Sequence, residues 1–303
     1  MKNITLCKAV LISLIFASVL FSQDLANLKK RVAVVNFEDA AGYGHNIGNG
    51  LSDMLITALV ESKKFIVIER GELDQVMQEQ GLGMTGAVTP QSAAKVGQLL
   101  GVELIITGSV SEFGTKQDKI GGALSNLSGF NLGVSTESAR SVVDIRLVNT
   151  STGEIITAKK AEGEESSKSL DNIGVDGINF NNSSTWDKTI LGKAARQSVE
   201  KCVDIITDGM ADITWQGKVI KANSDGTLFM KPGSAAGVSN GMTFWVYRPG
   251  EELIDPDTGI SLGSEEMKIG KIEVLSDVAG GKACKAIVKS GSNFETGDLV
   301  RIK

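Results

Sequence analysis

The chain has 303 residues, 42% of them hydrophobic, and a formal net charge of −5. Its length suits one large or two smaller globular domains. A single histidine argues against most metal sites and nearly all histidine-based catalysis. The acidic balance, without a visible basic stripe, argues against nucleic acid as a partner. The composition therefore predicts a protein without enzyme activity, cofactor or metal ion.

The first 22 residues have the pattern of a secretory signal peptide. Lys2 and Lys8 precede an almost purely apolar run, Ala9–Phe21, which is short for a bilayer span and is followed by small and polar residues. We expect cleavage after Ser22, with an uncleaved membrane anchor as the alternative. Because Cys7 precedes the apolar run, it is not placed as a lipid-accepting cysteine, and the mature chain is expected to be exported without a lipid.

Residues 23–213 have the pattern of an α/β domain, an α+β sandwich in which helices cover a sheet. Apolar, β-branched runs of strand length predict the strands, and apolar residues spaced three and four apart predict the helices. Thr89-Pro90 is a good helix start and Gly101 a good helix end. The predicted strands lie at 31–37, 65–68, 103–110, 141–148 and from 155 onward, and the predicted helices at 47–59, around 73–77, at 89–101 and at 190–206.

Two segments inside this domain, 115–141 and 158–185, are rich in Gly, Ser and Asn yet alternate apolar with small or polar residues. Such alternation predicts extended strands with one apolar and one polar face. Each segment is long enough for a β-hairpin whose strands have the roughly 9–11 residues that a bilayer crossing needs. The alternative is a pair of long surface loops. The apolar positions of the candidate membrane hairpins are Phe130, Leu132, Val134, Ile173, Val175, Ile178 and Phe180.

Insertion of these hairpins into a membrane would demand an oligomer. One chain supplies only four such strands, and four strands cannot close a barrel. Open sheet edges are not tolerated in lipid. The hairpin hypothesis therefore predicts a ring of several subunits that share one transmembrane β-barrel.

Residues 214–303 have a different pattern, with short strands separated by glycine-containing turns and no long helix. This pattern predicts a small all-β domain, either an SH3-like barrel or a sandwich. Cys202 and Cys284 fall in different predicted domains, so two buried free thiols are favoured over a disulfide.

The segment Gly42–Gly48, between a strand and a helix, is the one place that imitates an enzyme motif. Its glycines resemble a dinucleotide-binding turn, with Glu69 as the ribose-binding acid. The spacing is wrong for that motif, and Glu38-Asp39 would place negative charge beside the phosphates. We therefore expect no cofactor at this segment.

Five pieces of the chain carry a resemblance to the curli secretion channel (CsgG-type) family over about residues 31–213. Their order and spacing, including the turn at 149–154, make the resemblance fairly specific. The pieces are RVAVVNFED (31–39), LSDMLITALVESKKFIVIER (51–70), LLGVELIITGSVSEF (99–113), VDIRLVNTSTGEII (143–156) and the long helix that ends near 208–210. The C-terminal region resembles the small β domain that ends some flagellar assembly proteins of the FlgT type.

The resemblance implies a periplasmic α/β domain with two transmembrane hairpins that assembles as a ring. It also implies a pore narrowed by the loop after the first strand. The matching loop is Asp39–Gly50, in which Tyr43 and Asn46 fit by residue type and His45 lies between them. We therefore predict Tyr43, His45 and Asn46 as the pore constriction.

Together these observations predict a ring-forming outer-membrane secretion channel, or a channel-like envelope assembly protein, that passes an unfolded polypeptide passively. The implied partners are further copies of the chain, the outer membrane, and a secreted polypeptide or envelope protein. Residues 214–303 are expected to contact peptidoglycan or a protein. The alternative is a soluble periplasmic binding or assembly module, of the cell-wall-synthesis or flagellar-assembly type, that does not span the membrane.

Overall fold

The structure is a computed structural model that describes residues 27–44, 46–79, 90–120, 134–167, 186, 188–256 and 261–302. The chain divides into two compact units. The first, the α/β unit, comprises Arg31–Lys63 and Val67–Ile213. The second, the barrel unit, comprises Thr214–Lys303 with Lys64–Ile66 and the N-terminal residues up to Lys30.

The α/β unit is a mixed sheet with amphipathic helices packed on it. The described strands have the order β3-β1-β4-β5-β6, with β2 beside β4. β1 and β2 run parallel to β4, while β4, β5 and β6 form antiparallel neighbours. The elements are β1 Lys30–Val34, β2 Glu38–Asp39, α1 Ile47–Ser62, β3 Phe65–Val67, α2 Arg70–Glu79, α3 Pro90–Leu100, β4 Leu104–Ile120, β5 Val134–Asn149, β6 Ile155–Ser167 and α4 Ile190–Gly209.

Local sequence signals define the ends of these elements. The predicted helix start is confirmed at Pro90, the first residue of α3, while Thr89 lies outside the described residues. Gly101 follows the last turn with φ +66° and donates its N–H to the Gly97 carbonyl. Thr189 caps α4 by accepting a hydrogen bond from the Gly192 N–H at 2.9 Å. The predicted turn at 149–154 is also confirmed, since the Asn149 N–H donates to the Glu154 carbonyl at 2.9 Å.

The core of the α/β unit lies where α4 crosses β5 and β6. α4 buries one apolar stripe that includes Leu191, Val199 and Ile206. The close approach depends on Gly163 in β6, because a Cβ atom there would lie 1.8 Å from the Ala194 carbonyl oxygen of α4. Helix and strand therefore touch backbone to backbone at this point.

The barrel unit settles the choice between barrel and sandwich in favour of a closed barrel. Its strands follow the order β10-β11-β8-β7-β12-β9, and β9 pairs with β10 to close the circle. Alternate side chains point inward, where Trp215 stacks on Phe244 with ring centroids 5.1 Å apart. The strands are β7 Gln216–Ala222, β8 Thr227–Lys231, β9 Thr243–Ile254, β10 Ser261–Val278, β11 Ala283–Gly291 and β12 Leu299–Arg301.

Among the described residues, each unit contains one buried free cysteine, as predicted from the sequence. Cys202 lies in α4 and Cys284 in β11. Burial raises the pKa of each thiol to about 12, with Asp277 adding to the effect at Cys284. Both thiols are therefore protonated and unreactive at neutral pH while their units stay folded.

Candidate functional site

A long β-ribbon formed by β4 and β5 extends beyond the buried part of the α/β sheet. The two strands pair residue by residue from Leu104↔Asn149 to Ile120↔Val134, interrupted by one bulge near Val110. Among the β4 side chains that the structure describes, Phe113 is the last buried one, and residues 114–117 and 136–138 are exposed or half-buried. From Thr115↔Ala139 to Ile120↔Val134 the ribbon adds about 17 Å of paired strand, at roughly 3.3 Å per residue.

The ribbon contains the described part of the first candidate hairpin. The segment 115–141 begins where burial on β4 ends, and its strands are direct continuations of the core strands. Val134 is the first residue of β5 and lies opposite Ile120. Phe130 and Leu132 lie outside the described residues.

The second candidate hairpin, 158–185, begins inside β6. Residues 158–167 pair with β5, from Arg146↔Ala158 to Glu137↔Ser167, and α4 covers this strand. The described part of the segment is thus a strand of the core sheet. Ile173, Val175, Ile178 and Phe180 lie outside the described residues.

A cluster of charged side chains lies across the base of the ribbon. The Arg140 guanidinium on β5 is 2.9 Å from Glu112 on β4, 3.2 Å from Glu162 and 3.1 Å from Glu164 on β6. Sequence reasoning missed this cluster. The alternation of Glu162 and Glu164 along one strand was visible, but their alignment with Arg140 depends on the cross-strand register.

The edge of β6 that has no partner among the described strands is capped by side chains of α4. The Gln197 side-chain oxygen accepts a hydrogen bond from the Glu164 N–H at 3.1 Å, and its amide donates to Glu165 at 3.0 Å. The Lys201 ammonium donates to the Glu162 carbonyl at 2.5 Å. These contacts occupy backbone groups that would otherwise be open to another strand.

The predicted constriction loop, Asp39–Gly50, is stabilised by hydrogen bonds among its own residues. The Asp39 carboxylate accepts hydrogen bonds from the N–H groups of Tyr43 and Gly44, at 3.1 and 2.7 Å. Gly42 and Gly44 have φ values of +71° and +72°, which side chains rarely tolerate. This tight turn presents Tyr43 with 42% of its surface exposed.

The structure brings two of the three predicted constriction residues onto this loop. Asn46 is exposed, precedes α1 and has a left-handed backbone (φ 55°) without capping the helix through its side chain. Its amide is therefore not used by the first turn of α1. His45 lies outside the described residues.

These features define a class: an α/β domain with a sheet ribbon and a tight, aromatic-bearing loop, joined in one chain to a small β-barrel. The chain belongs to the CsgG family, described as the curli production assembly/transport component CsgG, whose model matches residues 16–231. Among the helices that the structure describes, none combines the length and apolarity needed to cross a membrane.

Individual relatives are distant. The chain is 25% identical over 170 residues to a protein of Neisseria meningitidis serogroup B that is named as a lipoprotein, covering 56% of this chain and 68% of the relative. It is 27% identical over 148 residues to CsgG of Salmonella typhimurium, covering 48% of this chain. The alignment spans only 51% of that curli component.

Among solved structures, the LpoB C-terminal domain from Salmonella enterica is 19% identical to the chain. The match covers 45% of this chain and 82% of that domain, with a TM-score of 0.30. At this TM-score the likeness carries no structural argument.

Proposed function

We propose that this protein is an exported, non-enzymatic envelope protein that assembles into a ring and passes unfolded polypeptide through an outer-membrane pore. Membership of the CsgG family supports an envelope assembly and transport role. The lipoprotein name of the Neisseria relative supports an exported location. In this proposal the α/β unit lies in the periplasm and no chemical step is catalysed.

The observation that carries the proposal is the β4–β5 ribbon. A ribbon whose strands pair without a break beyond Phe113 is a rigid continuation of a folded sheet. Its described root is mostly polar by residue type, with pairs such as Gln117↔Glu137 and Lys116↔Ser138. Because only 13 residues separate Ile120 from Val134, two crossing strands of roughly 9–11 residues each would have to include the ribbon itself. In a shared barrel, polar side chains of the ribbon would then face the water-filled lumen.

The constriction proposal assigns the lumen-facing role to the Asp39–Gly50 loop. Its hydrogen bonds to Asp39 fix the backbone, so that Tyr43 is held out at a defined position. A ring of such loops would place one aromatic side chain per subunit around an axis. Tyr43, His45 and Asn46 would then set the width and polarity of the opening.

The test of the pore is a shortened ribbon. Replacing residues 117–137 with Asn-Gly joins the opposed residues Lys116 and Ser138 through a two-residue turn that suits a hairpin. We expect loss of conductance in planar bilayers, with thermal unfolding of the α/β unit retained, because the buried core ends before this point. Unchanged conductance would contradict the proposal.

The test of the constriction is Tyr43→Ala. In a conducting ring we expect a changed single-channel conductance, because a protruding ring of side chains is removed. Val60→Ala, on an exposed apolar side chain of α1, is the matched control and should leave conductance unchanged. Equal conductance in Tyr43→Ala and the wild type would refute the assignment of this loop.

The alternative function is a soluble periplasmic binding or assembly module. The polarity of the described ribbon favours it, because a ribbon with polar residues on both faces is also stable in water. Extraction separates the two: a protein released from membranes by carbonate or urea as a monomer is the soluble module. A protein that requires detergent and appears as rings by electron microscopy is the channel.

A further inference from the structure

We infer that the first half of β6 in one subunit pairs with a projecting hairpin of the barrel unit in a second copy of this chain. The open edge is residues 155–160 of β6, and the arm is residues 248–254 of β9 with residues 261–267 of β10. The inference rests on the proposed function and deepens it, because it names a contact between neighbouring subunits of the proposed ring. The contact is separate from the ribbon and from the constriction loop.

The arm is a two-stranded continuation of the barrel. β12 pairs with β9 only as far as Tyr247, and β11 pairs with β10 only from Gly270 onward. Beyond these points, from Arg248 to Ile254, β9 pairs with β10 and with no second partner among the described strands. This stretch adds about 20 Å of paired strand, at roughly 3.3 Å per residue. The arm is thus a preformed pair of strands with an unpaired outer edge on β9.

β6 leaves a matching edge open in the α/β unit. The Glu162 carbonyl and the Glu164 N–H point outward, toward their caps on α4. Because outward and inward residues alternate along a strand of an antiparallel pair, the backbone groups of Ala158 and Lys160 point outward as well. Among the described residues, no hydrogen bond occupies these outward groups. This half of β6 follows the turn at 149–154, at the opposite end of the sheet from the ribbon.

Both surfaces expose large apolar side chains. Ile155 and Ile156 on β6 are 56% and 38% exposed, and Leu253 and Ile254 on the arm are 56% and 51% exposed. Antiparallel pairing of the β9 edge with residues 155–160 would cover part of this apolar surface, which favours association. It would also extend the α/β sheet of one subunit by the two strands of the next subunit's arm.

Opposite charges on the two surfaces identify a second copy of the chain as the partner. Residues 249–266 contain six acidic residues and no lysine, arginine or histidine. Residues 155–160 contain two lysines and no acidic residue. Because both surfaces belong to the same chain, every copy carries one of each, and no other protein is needed to supply the complement.

The charged side chains on these surfaces are available to a partner. Lys159 and Lys160 are exposed and form no ion pair among the described residues, although Asp144 lies opposite Lys160 on β5. On the arm, Glu251 and Glu265 are exposed and also have no ion pair within the described part of the chain. An antiparallel register with Glu251 opposite Lys160 would make a favourable cross-strand pair.

The lysines at the open edge also decide which strand can pair with it. Two β6 edges placed side by side would bring Lys159 and Lys160 of both copies together, which is unfavourable. An acidic strand meets opposite charges instead. The contact therefore joins two different surfaces head to tail, and contacts of this kind generate closed rings when the rotation between subunits closes.

The test reverses charge on one surface at a time in the exported full-length protein in detergent solution. Lys159→Glu/Lys160→Glu changes the edge, and Glu251→Lys/Glu265→Lys changes the arm. We expect each variant alone to associate about fivefold to tenfold more weakly in sedimentation velocity, since exposed ion pairs are replaced by like charges. An equimolar mixture should form dimers with the affinity of the wild type. The reason is that the unchanged edge of the arm variant meets the unchanged arm of the edge variant.

Two further variants keep the test specific. Glu61→Lys/Glu200→Lys makes the same change of charge on exposed helix positions and should associate like the wild type. Leu253→Ser/Ile254→Ser removes the apolar part of the arm without changing its charge. This variant should associate severalfold more weakly than the wild type, because less apolar surface is buried in the contact.

The outcomes separate this contact from the proposed pore. A mixture that associates as weakly as its two components would overturn the inference, because mixing must restore a contact between different surfaces of two copies. Rings that persist in both charge variants would also overturn it and would leave the proposed ring intact. Restored association in a protein that does not conduct would support the contact and contradict the pore.

Discussion

The two units handle their sheet edges in different ways. Where the described strands of the barrel unit form the barrel, they leave no edge to protect, because β9 pairs with β10 and the sheet closes on itself. Among the described strands, β6 forms one end of the α/β sheet, and its backbone is capped by Gln197 and Lys201. An open sheet can grow by adding another chain, whereas a closed barrel offers only its side chains to a partner. The two units thus avoid unwanted strand pairing by different means, the barrel unit by closure and the α/β unit by side-chain caps.

The buried cysteines allow the units to be followed separately. Cys202 reports on the α/β unit and Cys284 on the barrel unit, and each thiol becomes reactive only when its unit opens. Thiol labelling in increasing denaturant thus gives one stability per unit. Comparing the two labelling rates in variants of either unit shows how independently the units unfold.

The largest effect is expected from Gly163→Ala in the α/β unit. The new Cβ atom would lie 1.8 Å from the Ala194 carbonyl oxygen, so α4 must move away from β6. We expect a loss of at least about 3 kcal/mol of unfolding free energy, because backbone must move to relieve the overlap. Labelling of Cys202 should accelerate strongly, while that of Cys284 stays close to wild type.

Gly114→Ala is the matched control for this prediction. Gly114 lies in the same sheet, and a Cβ atom there meets nothing within 4 Å. The unfolding free energy of the Gly114→Ala variant should differ from that of the wild type by less than about 0.5 kcal/mol. Equal acceleration of both cysteines in Gly163→Ala would show that the units unfold together and would break the comparison.

The second prediction compares the loss of stability when one arginine is replaced in each unit. Arg248 in the barrel unit binds both oxygens of Asp298, at 2.9 and 3.0 Å, and the Asp298 side chain is only 2% exposed. Arg248→Met leaves this carboxylate buried without its cation. We therefore expect the unfolding free energy of the barrel unit to fall by about 3 kcal/mol. The measurement is denaturant-dependent labelling of Cys284.

Arg140→Met in the α/β unit should cost below about 1 kcal/mol, although Arg140 contacts three glutamates. Its side chain is 43% exposed, so solvent screens each pair. A larger loss of unfolding free energy in Arg140→Met than in Arg248→Met would mean that the number of ion pairs contributes more to stability than their burial does. In that case solvent screening would not explain the difference between the two arginines.

Gln197→Ala/Lys201→Ala is expected to have the smallest effect on stability. The same double variant is expected to change the self-association of the protein. Removing the caps of β6 should cost about 1 kcal/mol, because the exposed backbone groups can bond to water instead. The uncovered edge should increase self-association in sedimentation velocity. Glu200→Ala/Asp204→Ala, on exposed positions of the same helix, should associate like the wild type. If the two double variants sediment alike, the caps do not restrain strand pairing.

Some structural features could be read directly from short stretches of sequence. Helix signals at Pro90 and Gly101, and the turn at 149–154, depend on neighbours a few residues away and were predicted correctly. The full lengths of β4 and β5 could not be read in this way. The core strands were predicted to end near 110 and to begin near 141, and the segment 115–141 was predicted either as a hairpin or as a surface loop. In the structure β4 and β5 continue to Ile120 and from Val134. Polar residues such as those at 115–119 give no apolar signal, and their pairing rests on backbone hydrogen bonds that any sequence can make.

Contacts between separate strands show the same limit. The Lys268 and Lys271 ammonium groups on β10 lie over the Trp245 ring on β9, and only the cross-strand register brings them together. Local patterning also could not reveal the Arg140 cluster or the capping of β6, since both join residues from separate elements.

Local sequence patterns were enough to predict the types of segment in this chain. These are an apolar export-type N-terminus, the helices and strands of an α/β domain, an all-β region and a loop with an aromatic residue. These follow from local interactions and from hydrophobic periodicity. The closure of the barrel, the protected edge of β6 and the long β4–β5 ribbon became visible only in the folded chain. Each of these depends on which strands lie side by side and in what register, and residues distant along the chain decide that together.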